Sequence, residues 1–591
     1  MHGEAFEQRR ADFQNQGPSG KRVHIEILHL RNFRGIRELD WRPIRGVNCL
    51  IGPGDSGKTT VLDAIELLLA ERQNVTFDDL DFYEARPSNT IRIGAVISGL
   101  PKEFLRDDRY GLLVGGWNVA TGQWRGEPAE GNGFIPALYL LLEVDETLEP
   151  VWSIFIGRDP SDKSKRIRFA DRKEMAPSRL GVYSDRHLSW GRGSALQRVG
   201  AHPERLPAEL NDLMRSARDT FSEKSSQTFA DIIRSVSPDI AGLGVEIRNT
   251  LVANLDHTSF SANASGVALH DGNVPIRCMG TGSSRLAVAA LQSAESAGRQ
   301  FLLVDELEYG LEPHRISLLV SHLRKRVEAS GQVFLTTHST TVLREVRFSE
   351  VFICRRDAHD GSTLVKPVAA TTAPLLEAKR YVRDKGEALL ARSVLVCEGQ
   401  TEIGLLKGYA EGTAHPFQAN NVALVDGGGS EAPKVALHLA SLGYRTAILT
   451  DSDVPMKTAD STALSKANVP HFQWGDNRCT EQELFCGIHH AQRRQLLSRI
   501  AESVGATRML GELFSSTRVK FESIGEVAEY IGDDENARLV GKLAHEARWI
   551  KTNFDLCFEI GYHDLAFARL LGDGSLTSHF EKLDVWFSAD A

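Results

Sequence analysis

No Cys-x-x-Cys pair occurs among the seven cysteines, which stand at positions 49, 278, 354, 397, 479, 486 and 557. That scatter argues against a zinc site and against a disulfide framework, and it fits a reducing, cytoplasmic setting. No run approaches the roughly 18 apolar residues needed to cross a bilayer. The first 21 residues are polar and lack the apolar core of a signal peptide. A soluble protein with no membrane partner is therefore expected. Positive charge is not in excess: 69 Lys and Arg face 78 Asp and Glu, for a net charge of -9. The molecule as a whole is thus no electrostatic trap for nucleic acid, and any such contact must come from local basic patches. There is no internal repeat, low-complexity tract or long heptad run. What remains is an ordinary globular composition, 42% hydrophobic and 25% charged over 591 residues. That length allows about three or four domains.

Residues 1–21 read as a flexible tail. Strand-like runs cover Val23–Phe33 and Arg45–Ile51, and the second leads straight into Gly52-Pro53-Gly54-Asp55-Ser56-Gly57-Lys58-Thr59. A helical pattern follows from Thr60. Further short strands are expected at Ile91–Ile97, Leu138–Val144 and Val151–Ile156. From 205 to 236 the apolar residues fall at helical spacing, which predicts a helical hairpin or arm for dimerisation, or a packed helix pair. Buried parallel strands are expected at Phe301–Val304 and Val333–Thr336, with a helix at about 313 to 329 between them. A charged connection over 369–392 precedes a second α/β unit that begins at Val394. From about 486 the pattern is mostly helical.

Strand, glycine loop and helix form the context of a phosphate-binding loop. Gly52, Gly54 and Gly57 let backbone N–H groups, with those of Asp55 and Ser56, turn onto phosphates. Lys58 adds a point charge, Thr59 can ligate magnesium, and the helix start through Thr60 favours anions. Asp305 ends an apolar strand and can hold that magnesium, while the adjacent Glu306 can polarise an attacking water.

A second constellation lies downstream. Glu398 ends the apolar run Val394–Cys397, and Glu402 follows one helical turn later. Asp451 and Asp453 follow Ala447–Thr450, and alternate residues on a strand share a face. Strand ends of an open parallel sheet line a common crevice. Several carboxylates there repel one another unless metal is bound, and oxygen ligands suit magnesium or manganese.

The order Gly280-Thr281-Gly282-Ser283-Ser284-Arg285, Asp305-Glu306, Glu312-Pro313-His314 and Thr337-His338-Ser339 resembles the signature, Walker B, D-loop and switch histidine of ABC-type ATPases. The opening Ile27–Gly35 resembles the first strand of the RecF, Rad50 and SMC branch. In that branch the signature of one protomer completes the ATP site of another, which implies a dimer. Gln73 is available as the Q-loop residue, though Asp79 and Asp81 stand in the same region. About 245 residues separate the two Walker motifs, without the long coiled coil that Rad50 and SMC proteins place there. Glu398-Gly399-Gln400-Thr401-Glu402 with the later Asp-x-Asp resembles a Toprim domain. An ABC ATPase followed by Toprim is similar to the OLD (overcoming lysogenization defect) nucleases, most of all the compact type of Gabija antiphage systems.

The resemblance implies an α/β chain divided as follows: ATPase over 22–200, a helical dimerisation insert over 201–262, ATPase again over 263–378, and Toprim with helical additions over 379–591. It implies ATP with one magnesium, and two Mg2+ or Mn2+ at the Toprim site. Glu398, Asp451 and Asp453 would be principal ligands, with Glu402 at the second metal. A further acid would come from Glu481 or Glu483, and a charge-stabilising lysine from Lys551 or Lys542. Implied partners are DNA, a homodimer or homotetramer, and a UvrD-like helicase encoded nearby.

Two basic clusters stand out: Arg158, Lys163, Lys165, Arg166, Arg168, Arg172 and Lys173, and Lys379, Arg380, Arg383, Lys385 and Arg392. Either could hold phosphates, or be a solvated face. The leading expectation is an ATP-gated, metal-dependent DNA endonuclease in phage defence. The alternative is a RecF-like repair ATPase whose Toprim unit binds or assembles rather than cleaves.

Overall fold

A computed structural model describes residues 23–589 apart from several internal stretches, the longest being 243–266 and 369–384. The expected tail, Gln73, and the basic residues Arg158, Lys163, Lys379, Arg380 and Arg383 lie outside the described residues.

Twenty strands form the frame. In chain order they are β1 (His24–Phe33), β2 (Ile36–Trp41), β3 (Val47–Ile51), β4 (Ile91–Ser98), β5 (Gly115–Asn118), β6 (Gln123–Arg125), β7 (Phe134–Val144), β8 (Val151–Phe155), β9 (Lys165–Arg166), β10 (Ser178–Leu180), β11 (His270–Asp271), β12 (Val274–Pro275), β13 (Phe301–Val304), β14 (Gln332–Thr336), β15 (Val351–Arg356), β16 (Thr363–Pro367), β17 (Ser393–Cys397), β18 (Val422–Asp426), β19 (Arg445–Thr450) and β20 (His471–Gln473). The first sheet is antiparallel, with the order β2-β1-β4-β7-β5-β6 and β8 and β9 branching from β7. The second runs β10-β13-β14-β3-β15-β16 and is parallel except for β16. The third, β18-β17-β19-β20, is wholly parallel.

Burial explains which runs became central. Every residue of β3, β13, β14 and β17 is buried, as expected where both faces of a parallel sheet are covered. In β1, buried and half-buried residues mostly alternate. Helix α1 (Lys58–Leu68) lies between the first two sheets and buries Val61, Leu62, Ile65 and Leu68. One apolar cluster accordingly joins Leu28, Leu62, Ile93, Leu140 and Phe334.

The second and third sheets also share a core. Val342, Leu343 and Val346 pack in one cluster with Ala388, Leu389, Val394, Val396 and Val425. Arg355 on β15 reaches across this junction, its guanidinium 4.1 Å from the ring centre of Tyr444. Tyr444 in turn donates its hydroxyl to the Leu389 carbonyl at 2.7 Å.

Of the hairpin, arm or helix pair expected over 205–236, the chain forms neither hairpin nor pair but one helix, α2 (Leu206–Gly242), of 37 residues. After Pro207, in the first turn, no proline or glycine occurs up to Ser237, so the chain has no local reason to turn. Leu213 and Ile232 on it are 64% and 60% exposed. Beyond β20 the chain is helical, as expected from about 486, and part of this region docks closely on an earlier helix. α3 (Gln400–Gly412) meets the segment Phe554–Leu565 through glycines: a Cβ at Gly408 would lie 2.0 Å from the Phe558 carbonyl oxygen. Among the described residues no helix is long and apolar enough to cross a membrane.

Candidate functional site

The glycine loop sits between β3 and α1. Gly52 has φ 141° and a Cβ there would lie 2.2 Å from the Cys354 carbonyl oxygen, so only glycine fits this turn. Gly57 (φ 91°) directly precedes the helix, Gly54 and Asp55 are exposed, and Thr60 is half-buried. Lys58 is buried and donates its Nζ to Gly52 O at 3.1 Å, Pro53 O at 2.7 Å and Ser56 Oγ at 3.2 Å. Burial lowers its ammonium below the ordinary lysine range. These oxygens hold the charge at the loop until phosphate oxygens replace them.

Asp305 follows β13 and collects the expected partner. Its Oδ1 accepts from Thr59 Oγ1 at 3.1 Å and from Thr336 Oγ1 at 2.7 Å. Its Oδ2 accepts from Arg179 at 3.0 Å, and Arg179 also bonds Asp63 and Glu66. Neither Thr336 nor Arg179 carries a sequence signature, because their role arises only from strand pairing. Glu306 sits at φ 46° and donates its N–H to Thr336 Oγ1 at 2.9 Å. His338 is exposed, with its N–H on Glu308 Oε1 at 2.8 Å. Burial and then the Lys58 charge lower its imidazole pKa. Gly282 begins a helix at the D-loop, where a Cβ would lie 2.2 Å from Gly310 O. Asp79 is exposed, and Asp81 is tied to Arg34 at 2.8 Å.

The second constellation gathers at the ends of β17 and β19. Glu398 Oε2 accepts from the Asp451 N–H at 2.9 Å. Glu402 is buried and caps Gly399 N at 2.7 Å. It is the third residue of α3, while Glu398 precedes the helix, so the hydrogen bond from Gly399 N rather than a shared helical face holds the Glu402 carboxylate. Thr480, which opens helix α4 (Thr480–Gly487), lies 2.8 Å from Glu402 Oε1 and 2.7 Å from Asp451 Oδ1. Burial, then Glu402 and Glu398, push the Asp451 carboxyl up to about 8, and burial raises Glu402 as well. Such a set is costly to ionise and fits a divalent cation with oxygen ligands.

The shared strand face expected for Asp451 and Asp453 is not what holds them. β19 ends at Thr450, and Ser452 binds the loop at Arg478, its N–H on the Arg478 carbonyl at 3.0 Å. Asp451 turns inward and Asp453 is exposed. Glu481 is buried against His545 Nδ1 at 2.9 Å and interacts electrostatically with Asp451. Glu483 is buried and accepts from Arg478 at 3.2 Å, a structural ion pair. Lys551 is exposed and near enough to His545 to act on its charge. Lys542 pairs with Glu546 on its own helix at 3.8 Å.

The first basic cluster is partly structural. Arg172 is buried, stacked 3.7 Å from the Trp152 ring centre, and donates to the Ala70 carbonyl at 2.9 Å. Lys165 donates to the Arg109 carbonyl. These two therefore hold the first unit together, and Arg392 of the second cluster is exposed.

Residues 24–175 match the family described as an AAA ATPase domain. Residues 143–344 match an AAA domain family whose description also names the AbiEii toxin of a Type IV TA system. Residues 389–453 match the Overcoming lysogenization defect protein-like TOPRIM domain. The chain joins an ATPase domain to a TOPRIM domain. These two domain types generally use ATP and divalent metal. The chain is 25% identical to the Old nuclease of Escherichia phage P2 over 178 residues, 28% of this chain and 30% of that protein. It is 48% identical to a DNA replication and repair protein RecF of Nitrosococcus oceani over 46 residues, 8% of this chain and 13% of that one. The chain thus spans less than a third of the length of either relative. The SMC head domain from Thermotoga maritima superposes with a TM-score of 0.28 at 15% identity, covering 59% of this chain and 100% of that one. That score is too low to add to the assignment, which rests on the sheet orders and the matched families. Within the TOPRIM domain the acids meet through Thr480 and His545, both of which lie beyond the matched segment.

Proposed function

We propose that this chain is an ATP-binding, metal-dependent DNA endonuclease of the OLD type, acting in antiphage defence. The observation that carries the reading is the meeting of Glu398, Glu402 and Asp451 around Thr480, at the C-terminal ends of parallel strands. Glu398, Glu402, Asp451, Asp453 and Glu481 would hold two magnesium or manganese ions. Bound there, such ions supply an activated water and neutralise charge on the leaving oxygen.

The chain's own residues do the remaining work. Thr480 fixes the separation of Asp451 and Glu402, and the Asp451 N–H fixes Glu398. Asp453, exposed at the mouth, meets incoming substrate first. Lys551 adds positive charge where a phosphodiester gains negative charge. Arg392 and its neighbours offer sequence-independent phosphate contacts. Lys58, Thr59 and Asp305 bind the nucleotide with its magnesium, Glu306 orients water, and Gly282 with His338 completes the site of a second copy in a homodimer or homotetramer. The 22–200, 263–378 and 379–591 segments serve as ATPase, ATPase and nuclease, and 201–262 as the dimerisation insert. A Gabija-type helicase partner is consistent with this arrangement.

The RecF matches favour a second reading, a repair ATPase that holds DNA without cutting it. Plasmid incubated with protein and Mg2+ or Mn2+ separates the two. Nicking or cleavage that is lost in Glu398→Gln supports the nuclease, and retention without cleavage supports the RecF-like reading.

A further inference from the structure

Cys479, Glu481 and His545 place one sulfur, one carboxylate oxygen and one ring nitrogen within 4.8 Å of one another. Cys479 directly precedes α4, Glu481 is the second residue of that helix, and His545 lies on helix α5 (Asp534–Glu546). Gly541 makes the meeting possible. A Cβ there would lie 2.6 Å from the Gln482 Cα and 3.1 Å from the Glu481 carbonyl oxygen, so the helices touch backbone to backbone one turn before His545. The thiol adds an independent observation. Cys354 and Cys557 are also buried, and each donates its Sγ to a carbonyl, at 2.9 and 3.3 Å. Cys479 is only 2% exposed. Its Sγ is in no disulfide, takes the Gln482 N–H at the start of α4, and lies within 4.8 Å of the Glu481 and His545 ligand atoms.

We propose that these three side chains form a binding site for a borderline transition ion, zinc above all, beside the carboxylate set and sharing Glu481 with it. Thiolate, imidazole and carboxylate are zinc ligands, whereas magnesium prefers oxygen alone. Three protein ligands leave a fourth position for water. The site adjoins the carboxylates, since Asp451 interacts electrostatically with both Cys479 and His545. Binding replaces the thiol proton with an S–Zn bond and releases that proton to solvent. Glu481 belongs to both sets, so zinc draws it away from the hard-ion ligands. Zinc is therefore an antagonist of magnesium-supported cleavage, a consequence that rests on the nuclease reading. Glu481 and His545 are 64 residues apart in the chain, which is why no Cys-x-x-Cys spacing announces them.

The test is a titration of the purified full-length chain, stripped with chelator, by Co2+ alone and then by Zn2+. A near-ultraviolet thiolate-to-cobalt band, displaced by Zn2+, is expected in the wild type and in Glu398→Gln. It is expected to vanish in Cys479→Ser. His545→Gln, which keeps the thiol, should weaken Zn2+ affinity at least tenfold, with circular dichroism melts confirming that each variant is folded. Absence of the band in the wild type, its persistence in Cys479→Ser, or unchanged affinity in His545→Gln overturns the site. If the band appears but no metal supports cleavage, the nuclease reading fails and the zinc site stands. If zinc inhibits wild type and Cys479→Ser equally, the antagonism is overturned.

Discussion

The Thr480 hydroxyl lies 2.7 Å from the Asp451 carboxyl, and one proton cannot serve all its neighbours. Its oxygen accepts from Trp474 Nε1 at 2.8 Å and also stands 2.8 Å from Glu402 Oε1. A hydroxyl donates once. Both carboxyl contacts are hydrogen bonds only if one of the two acids carries a proton. The upward shifts of Asp451 and Glu402 agree with that count. A divalent cation would take that proton's place. Thr480→Val removes the bridge and leaves the Trp474 N–H unpaired. We expect apparent Mn2+ affinity to fall about tenfold by calorimetry, the equivalent of one lost hydrogen bond of roughly 1–1.5 kcal/mol.

The same geometry sets a pH dependence. Asp451 titrates at about 8 in the folded chain against an ordinary 3.8. Its folded pKa is raised, so its contribution to stability is complete below about 4 and is lost as pH rises through about 8. Chelator-treated protein should lose thermal stability over that window, and Mn2+ should restore it most strongly at the alkaline end. Metal affinity should rise with pH up to about 8. Melting curves across pH with and without Mn2+ check both statements.

At the nucleotide site, Arg179 bridges Asp63, Glu66 and Asp305. Arg179→Met takes this bridge from Glu66 and Asp305, while Asp63 keeps Arg34. We expect a loss of roughly 3 kcal/mol in unfolding free energy, since removing one partner of a largely buried ion network leaves charge uncompensated. Denaturant unfolding measures it. Lys58→Ala, by contrast, should abolish nucleotide binding with little change in stability.

How far these sites were legible in the sequence depends on chain distance. The glycine loop is contiguous, so Gly52 to Thr59 could be read with its flanking strand and helix. The parallel strands could be read because β13 and the Val394–Cys397 part of β17 are unbroken apolar runs. The partners of Asp305 could not, because Thr336 and Arg179 reach it only through β14 and β10 pairing with β13. Glu481 and Glu483 were inseparable on the page, since a helix turn decides which of them faces His545 and which faces Arg478. The strand logic for Asp451 and Asp453 failed because Ser452 binds the loop at Arg478 and ends β19 early.

The junction between the two domains makes a further prediction. Arg355 stacks on Tyr444 and donates to the Ala391 carbonyl at 3.4 Å, linking β15 to the start of the TOPRIM domain. A groove of about 580 Å³ beside it is lined by His338, Thr340, Glu387 and Asn421. Arg355→Ala should leave ATP binding and metal binding unchanged while removing any effect of nucleotide on cleavage. Parallel binding and cleavage assays, with and without ATP, provide the check.

Close docking of the C-terminal helices predicts that Gly408→Val is poorly tolerated. The added atoms would meet Phe558 O and Tyr562 N, which lie 2.0 and 2.7 Å from a Cβ at that position. Backbone cannot yield as a side chain can, and a loss of about 3 kcal/mol or more is expected in thermal or denaturant unfolding.

Cleavage of supercoiled plasmid by the purified chain in Mg2+ or Mn2+ tests the central claim most directly, with Glu398→Gln and Asp453→Asn alongside the wild type. The predicted result is nicked or linear product from the wild type and at least a hundredfold less from each variant, with nucleotide binding unchanged. Undiminished cleavage in both variants, or none from the wild type in either metal, would contradict it.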